Sequence, residues 1–132
     1  MSQENVDIIR RVEAAINANE PPPHDLIAPG FELRNATTAV TDATYVGYDG
    51  ALKWRKDMFD VVDDARIDMS EVVATGTDFV VVATRLVGRG SLSGAPVDLR
   101  WTSVFWFRDG QIIWGAGYGS RREALEAVDL SE

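Results

Sequence analysis

The 132-residue chain contains no cysteine and only one histidine. The first absence removes disulfides, thiolate nucleophiles and every cysteine-containing zinc site. The second would leave a zinc ion dependent on carboxylates and water, so no metal and no cofactor is expected. Positive charge is also in short supply. Thirteen Lys and Arg face 21 Asp and Glu, and the net charge of -8 argues against nucleic acid or an anionic membrane surface as a partner. No run reaches transmembrane length, and MSQENVDIIRR lacks an apolar stretch followed by a cleavage signal. The cytoplasm is therefore the expected location. Repeats, low-complexity segments and strand–helix–strand alternation are all missing, which disfavours a doubly wound nucleotide fold.

What is present is a globular balance, 45% hydrophobic and 26% charged, in a length that allows one domain over residues 1–132. Val6, Ile9, Val12 and Ile16 have helical spacing and predict a helix over 5–18. The prolines 21–23 must stop it. A short helical turn up to Pro29-Gly30 and a strand over 31–35 should follow. Residues 36–48 read as an irregular loop. Ala51, Trp54, Met58 and Val61/Val62 then form the stripe of a second helix. The rest is mostly strand: 66–74, 79–88, 97–107 and 111–118, with a tight turn at Arg108-Asp109-Gly110. Ser120 and Glu123 have the spacing of a capping box at the start of a terminal helix. Helices first and antiparallel strands later make an α+β pattern.

Local motifs carry little chemistry. The stretch GAGYGS (residues 115–120) precedes a helix but lacks a lysine and the spacing of a nucleotide loop, so its glycines read as a strand that bends. His24, after three prolines and beside Asp25, has the setting of a surface residue. Asp57/Asp60 and Asp63/Asp64 read as a solvated helix face, with Lys53 placed to pair with Asp57 one turn on. Strand alternation says more. Leu99, Trp101, Ser103, Phe105 and Phe107 share one face, while Val104 and Trp106 lie on the other with Asp98, Arg100 and Thr102. Both faces are apolar for part of their length, so a second subunit is expected on one of them. Phe79, Val81, Ala83, Arg85 and Val87 likewise align, with Arg85 either reaching water or serving a pocket.

These features together resemble the SnoaL-like branch of the NTF2-like superfamily. The resemblance rests on residues 17–20 (NANE), GYDG-x3-WR-x2-MF (47–59), the TGTD turn (75–78), SVFWFRDGQII (103–113) and Y-x-SRREALEA (118–127). It spans nearly the whole chain. It implies a cone in which N-terminal helices pack on the concave face of a highly curved mixed sheet, with an apolar pocket between them and a convex face that dimerises. By that resemblance Leu99, Trp101, Ser103, Phe105, Phe107, Arg85, Ile113, Gly115 and Gly117 face the cavity. Val104, Trp106, Trp114 and Tyr118 form the homodimer side.

The family includes polyketide cyclases, isomerases, epoxide hydrolases and non-catalytic binders. The epoxide hydrolases' arginine and asparagine match Arg85 and Asn35, but their two aspartates fall on Val87 and Gly117 and their tyrosine on Leu33. The steroid isomerases' carboxylates and tyrosine fall near Asn35, Ser103 and Val12. The cyclases' carboxylate and histidine fall on Gly117 and Ser103. Glycine and serine alone supply no general base. The reading is therefore a pocket for a small, largely apolar or weakly polar molecule, with Asn35, Tyr48, Trp54, Arg85, Trp101, Ser103, Phe105 and Gly117 as its candidate residues and no assigned catalytic residue. One alternative is a cyclase, isomerase or hydratase-like enzyme of secondary metabolism using Asp42, His24 or Glu71 as an unusual base. Another is a non-catalytic interaction domain.

Overall fold

In the computed structural model, which describes residues 2–35 and 44–131, the apolar stripe of the first helix sets the layering. The chain runs α1 (Ser2–Asn17), a 3-10 turn (His24–Leu26), β1 (Ile27–Asn35), β2 (Thr44–Val46), α2 (Gly47–Val61), β3 (Val62–Thr75), β4 (Phe79–Gly90), β5 (Pro96–Arg108), β6 (Gln111–Tyr118) and α3 (Arg121–Ser131). The strands form one mixed sheet in the order β2-β1-β6-β5-β4-β3. Among the described residues β1 and β6 pair in parallel and the other neighbours are antiparallel.

Helix α1 ends in a Schellman motif. Asn19 takes a left-handed conformation at φ 57°. Its N–H donates to the Ile16 carbonyl at 3.3 Å, and that of Glu20 donates to Ala15 at 2.9 Å. Pro21 then prevents the helix from resuming. At the other end of the chain Glu123 N–H donates to Ser120 Oγ at 3.2 Å, and the Ser120 hydroxyl donates to the Glu123 carboxylate at 3.2 Å. The expected N-cap is thus formed, although the carboxylate takes the hydroxyl in place of a backbone N–H.

Several boundaries differ from the sequence reading. Val62, expected on the stripe of the second helix, instead opens β3, which starts four residues before the expected 66. Strand β1 begins at Ile27, four residues early, because its register shifts between Ile27 and Glu32 and so tolerates Pro29 and Gly30. Within the expected loop, Thr44–Val46 pairs with Glu32–Arg34 as β2, and α2 starts at Gly47. Three residues are too few for alternation to show. Residues 36–43 of that loop lie outside the described residues.

The sheet has two covered faces. On the concave one, Ile9 and Ile16 of α1 and Met58 of α2 pack against Ile67, Val82, Leu86 and Phe107. On the convex one, Ala124 and Val128 of α3 pack against Phe79, Val81, Val104 and Trp106. Val104 is fully buried and Trp106 is 9% exposed. The chain's own last helix therefore covers two of the four residues that the sequence reading had left for a second subunit, Val104 and Trp106.

Strand β3 is an edge, but its outward backbone is not bare. Asn17 bonds both the N–H and the carbonyl of Ile67 at 2.9 Å. Met69 N–H donates to Glu13 at 2.6 Å, and Arg10 donates to the carbonyls of Met69 and Ser70 at 2.6 and 2.8 Å. Positions 10, 13 and 17 share one helix face, so α1 supplies the polar groups that another strand would. Elsewhere β3 bulges between Asp63 and Arg66 against Gly88, where a Cβ would stand 2.6 Å from the Asp63 carbonyl oxygen.

Candidate functional site

The helices do not fill the concave face. A cavity of about 290 Å3 remains between α1, α2 and the sheet. Its walls are apolar: Phe31 and Leu33 from β1, Trp54 and Met58 from α2, Trp101 and Phe105 from β5. Gly117 on β6 also borders it, opposite Ser103 in the β5–β6 register. Nearby Gly115 leaves room for the Phe105 ring, since a Cβ there would lie 2.8 Å from that ring. The glycine-rich stretch is thus strand β6 itself, passing under an aromatic layer.

Two hydroxyls interrupt the apolar wall. Thr84 Oγ1 and Ser103 Oγ are both buried, lie 2.8 Å apart and border the cavity. Thr84 also reaches the Val82 carbonyl at 3.4 Å. If Thr84 donates to Val82, Ser103 donates to Thr84 and keeps an acceptor for the cavity. If Thr84 donates to Ser103, the Ser103 proton is free for a carbonyl there. The pair can therefore receive either a hydroxyl or a carbonyl.

Among the described residues three charged ones border the cavity: Glu20, Arg34 and Arg55. Arg34 directs its charge to the outer face, where its guanidinium lies 4.5 Å from the Trp114 ring and 3.3 Å from Glu32. Arg55 stays on the inner side. Its Nε and Nη2 donate to the Ile16 carbonyl at 3.3 and 3.2 Å, and its guanidinium lies 3.9 Å from the Phe59 ring. Glu20 follows the Schellman turn and is exposed to solvent.

Of the residues expected here, Trp54, Trp101, Ser103, Phe105 and Gly117 border the cavity. Arg85 does not. The β4–β5 register pairs Thr84 with Trp101 and Arg85 with Arg100, which puts Arg85 on the convex face. There it makes a bidentate pair with Asp98, at 2.9 and 2.8 Å. The Arg85 hydrogen bond, assisted by Arg100, holds the Asp98 carboxyl down at about 2. Ile113 is also turned outward, because the register shifts after Trp106↔Trp114 and sends Ile112 to the cavity instead. Tyr48 stands behind the mouth: its hydroxyl donates to the Pro22 carbonyl and its ring stacks on His24 at 3.6 Å. Asn35 ends β1 in register with Gly117, and its side chain lies outside the described structure.

Neither of the two unusual bases among the described residues is placed at the cavity. His24 is exposed against Tyr48, and Glu71 pairs with Arg121 at 2.6 Å on the other face. Asp42 lies outside the described residues. Among the described residues no group of His, Asp and Glu is arranged to hold a metal ion, and no helix is long and apolar enough to cross a membrane. The sequence reading missed Thr84, Glu20 and Arg55. The signal for Thr84 was the hairpin register, and for Arg55 its place between Ala51, Trp54 and Met58 on the helix stripe.

A curved mixed sheet, with two helices roofing an apolar cavity on its concave side, defines the NTF2-like α+β domain. More narrowly, the chain belongs to the SnoaL-like domain family, whose pattern matches residues 9–114. Solved structures agree in fold. A putative SnoaL-like polyketide cyclase from Jannaschia sp. CCS1 is 22% identical, with a TM-score of 0.72 over 97% of this chain and 93% of that one. TerC, crystallised with polyporic acid, is 18% identical, with a TM-score of 0.71 over 96% and 98%. A hypothetical protein of ketosteroid isomerase-like fold from Catenulispora acidiphila, in complex with trimethylamine, is 16% identical, with a TM-score of 0.73 over 86% and 85%. No curated protein matches the chain in sequence.

Proposed function

We propose that this SnoaL-like chain binds a small, largely apolar molecule in the cavity between α1, α2 and the sheet. The observation that carries the reading is the buried Thr84–Ser103 hydroxyl pair set among the aromatic and aliphatic side chains of the cavity. An aromatic cavity supplies affinity through burial, and a few placed polar groups supply orientation. The ligand accordingly carries a carbonyl or hydroxyl on a flat apolar frame. Relatives crystallised with polyporic acid and with trimethylamine support small-molecule binding by this fold, without fixing the ligand here. Calorimetric titration with 2-acetylnaphthalene is expected to show saturable one-to-one binding. Ser103→Ala should weaken it by roughly tenfold or less, the worth of one neutral hydrogen bond. Absence of binding by this and other bicyclic ketones and alcohols would overturn the reading.

A catalytic version has one foothold. Glu20 is the carboxylate that borders the cavity among the described residues, so a cyclase, isomerase or hydratase would draw its base from there. Glu20→Gln would then abolish turnover while sparing binding. The setting we propose is cytoplasmic. For the oligomer we propose a homodimer whose contact centres on Trp114 and Tyr118, the part-exposed remainder of the convex face once α3 has covered Val104 and Trp106.

A further inference from the structure

We infer that the cavity selects an anionic ligand, an apolar carboxylate or acidic enol, and that Arg55 is the residue that recognises its charge. This deepens the binding reading above and rests on it. Arg34, Arg85, Arg100, Arg121 and Arg122 each pair with a carboxylate on the surface. Arg55 differs. It is half-buried, it borders the cavity, and among the described residues it has no carboxylate partner. Its hydrogen bonds go to one neutral carbonyl, that of Ile16, and its flat face lies on Phe59. Those contacts fix the guanidinium in position without neutralising it. Nη1 has no partner among them, and a charged group removed from bulk water gains most from a counter-ion. Arg10 also bonds only to carbonyls, but both of its terminal nitrogens close the edge of β3.

Two features compete with this assignment. Arg55 reaches the last turn of α1, where a cation satisfies free carbonyls and the helix dipole. That role accounts for Nε and Nη2 but not for a position on an apolar cavity. Glu20 at the mouth repels an anion, yet it is exposed and its field is screened by water, whereas that of Arg55 is screened less. The assembled picture is a flat apolar body among Trp54, Trp101 and Phe105, an anionic head at Arg55 and a second oxygen at Ser103.

The test compares three ligands of one shape: 2-naphthoate, 2-naphthamide and the ammonium form of 2-naphthylmethylamine. Calorimetry on the intact chain is expected to show naphthoate binding about tenfold tighter than the amide, the effect of one partly exposed charge-assisted contact. Arg55→Met should erase that difference and leave amide affinity within about twofold, while Arg55→Lys keeps part of it. Glu20→Gln should tighten naphthoate and not the amide. A role in ending α1 alone would lower the melting temperature of Arg55→Met without changing the naphthoate-to-amide ratio. The inference falls if the amide equals naphthoate, if the ammonium is preferred, or if the preference survives in Arg55→Met. If none of the three binds, the cavity reading falls as well, and that outcome is distinct from amide binding without charge preference.

Discussion

Thr84 and Ser103 are expected to behave as a unit. Thr84 is the hydrogen-bond partner of the buried Ser103 hydroxyl, so Thr84→Val leaves Ser103 without it and should cost about 1–2 kcal/mol in urea unfolding. Adding Ser103→Ala to that variant should cost less than Ser103→Ala does alone, a coupling of about 0.5–1 kcal/mol that a double-mutant cycle measures. Asp98 makes a pH prediction of opposite character. Its folded pKa, about 2, lies below the ordinary 3.8 because Arg85 favours the charged form. Its stabilising contribution is therefore fully present above about pH 4 and disappears as pH falls through 2. Asp98→Asn should be the less stable form at neutral pH, with the gap closing across that window in pH-dependent unfolding. Arg85 also shows how far residue-level reading reached. Alternation correctly grouped it with Val81 and Ala83, but both faces of β4 are apolar, and nothing in the spacing says which is inside. Only pairing with Arg100 decides that, and it depends on the turn at Ser91–Gly94, whose register is not written in any hydrophobic period.

Among the elements, helices and long strands were legible because their stripes are long enough to repeat. The short β2, the early start of β1 and the outward turn of Ile113 were not, since each follows from pairing or a bulge with no local signature. The contact of α1 with β3 was equally hidden: Asn17 was visible only as a polar residue near a helix end. Asn17→Ala should strip both the N–H and the carbonyl of Ile67 of their partners, at a cost of about 1–3 kcal/mol. Size-exclusion chromatography of that variant should reveal higher-order species, because an uncovered edge invites strand addition. At the bulge, Gly88→Ala would force a Cβ against the Asp63 carbonyl, for which neither strand has slack. A loss of about 1–3 kcal/mol is expected, readable as a lower denaturation midpoint.

For the molecule as a whole, the division of labour between helices decides what the surface offers. Because α3 covers the middle of the convex face, a homodimer there would have a modest apolar centre at Trp114 and Tyr118. Sedimentation is expected to show a dimer that Trp114→Glu converts to monomer; a native monomer would leave α3 as the sole cover of that face. The two ends of the sheet are protected differently. One closes with the three-residue β2, and the other depends on α1. During synthesis the N-terminal helix, which ends at Asn17, leaves the ribosome well before β3, which begins at Val62. The strand therefore emerges to find its cover already made, and its backbone need never be presented naked to a neighbouring chain. A circular permutant in which α1 is translated last would reverse that order and should aggregate during expression, even though its finished fold would be the same.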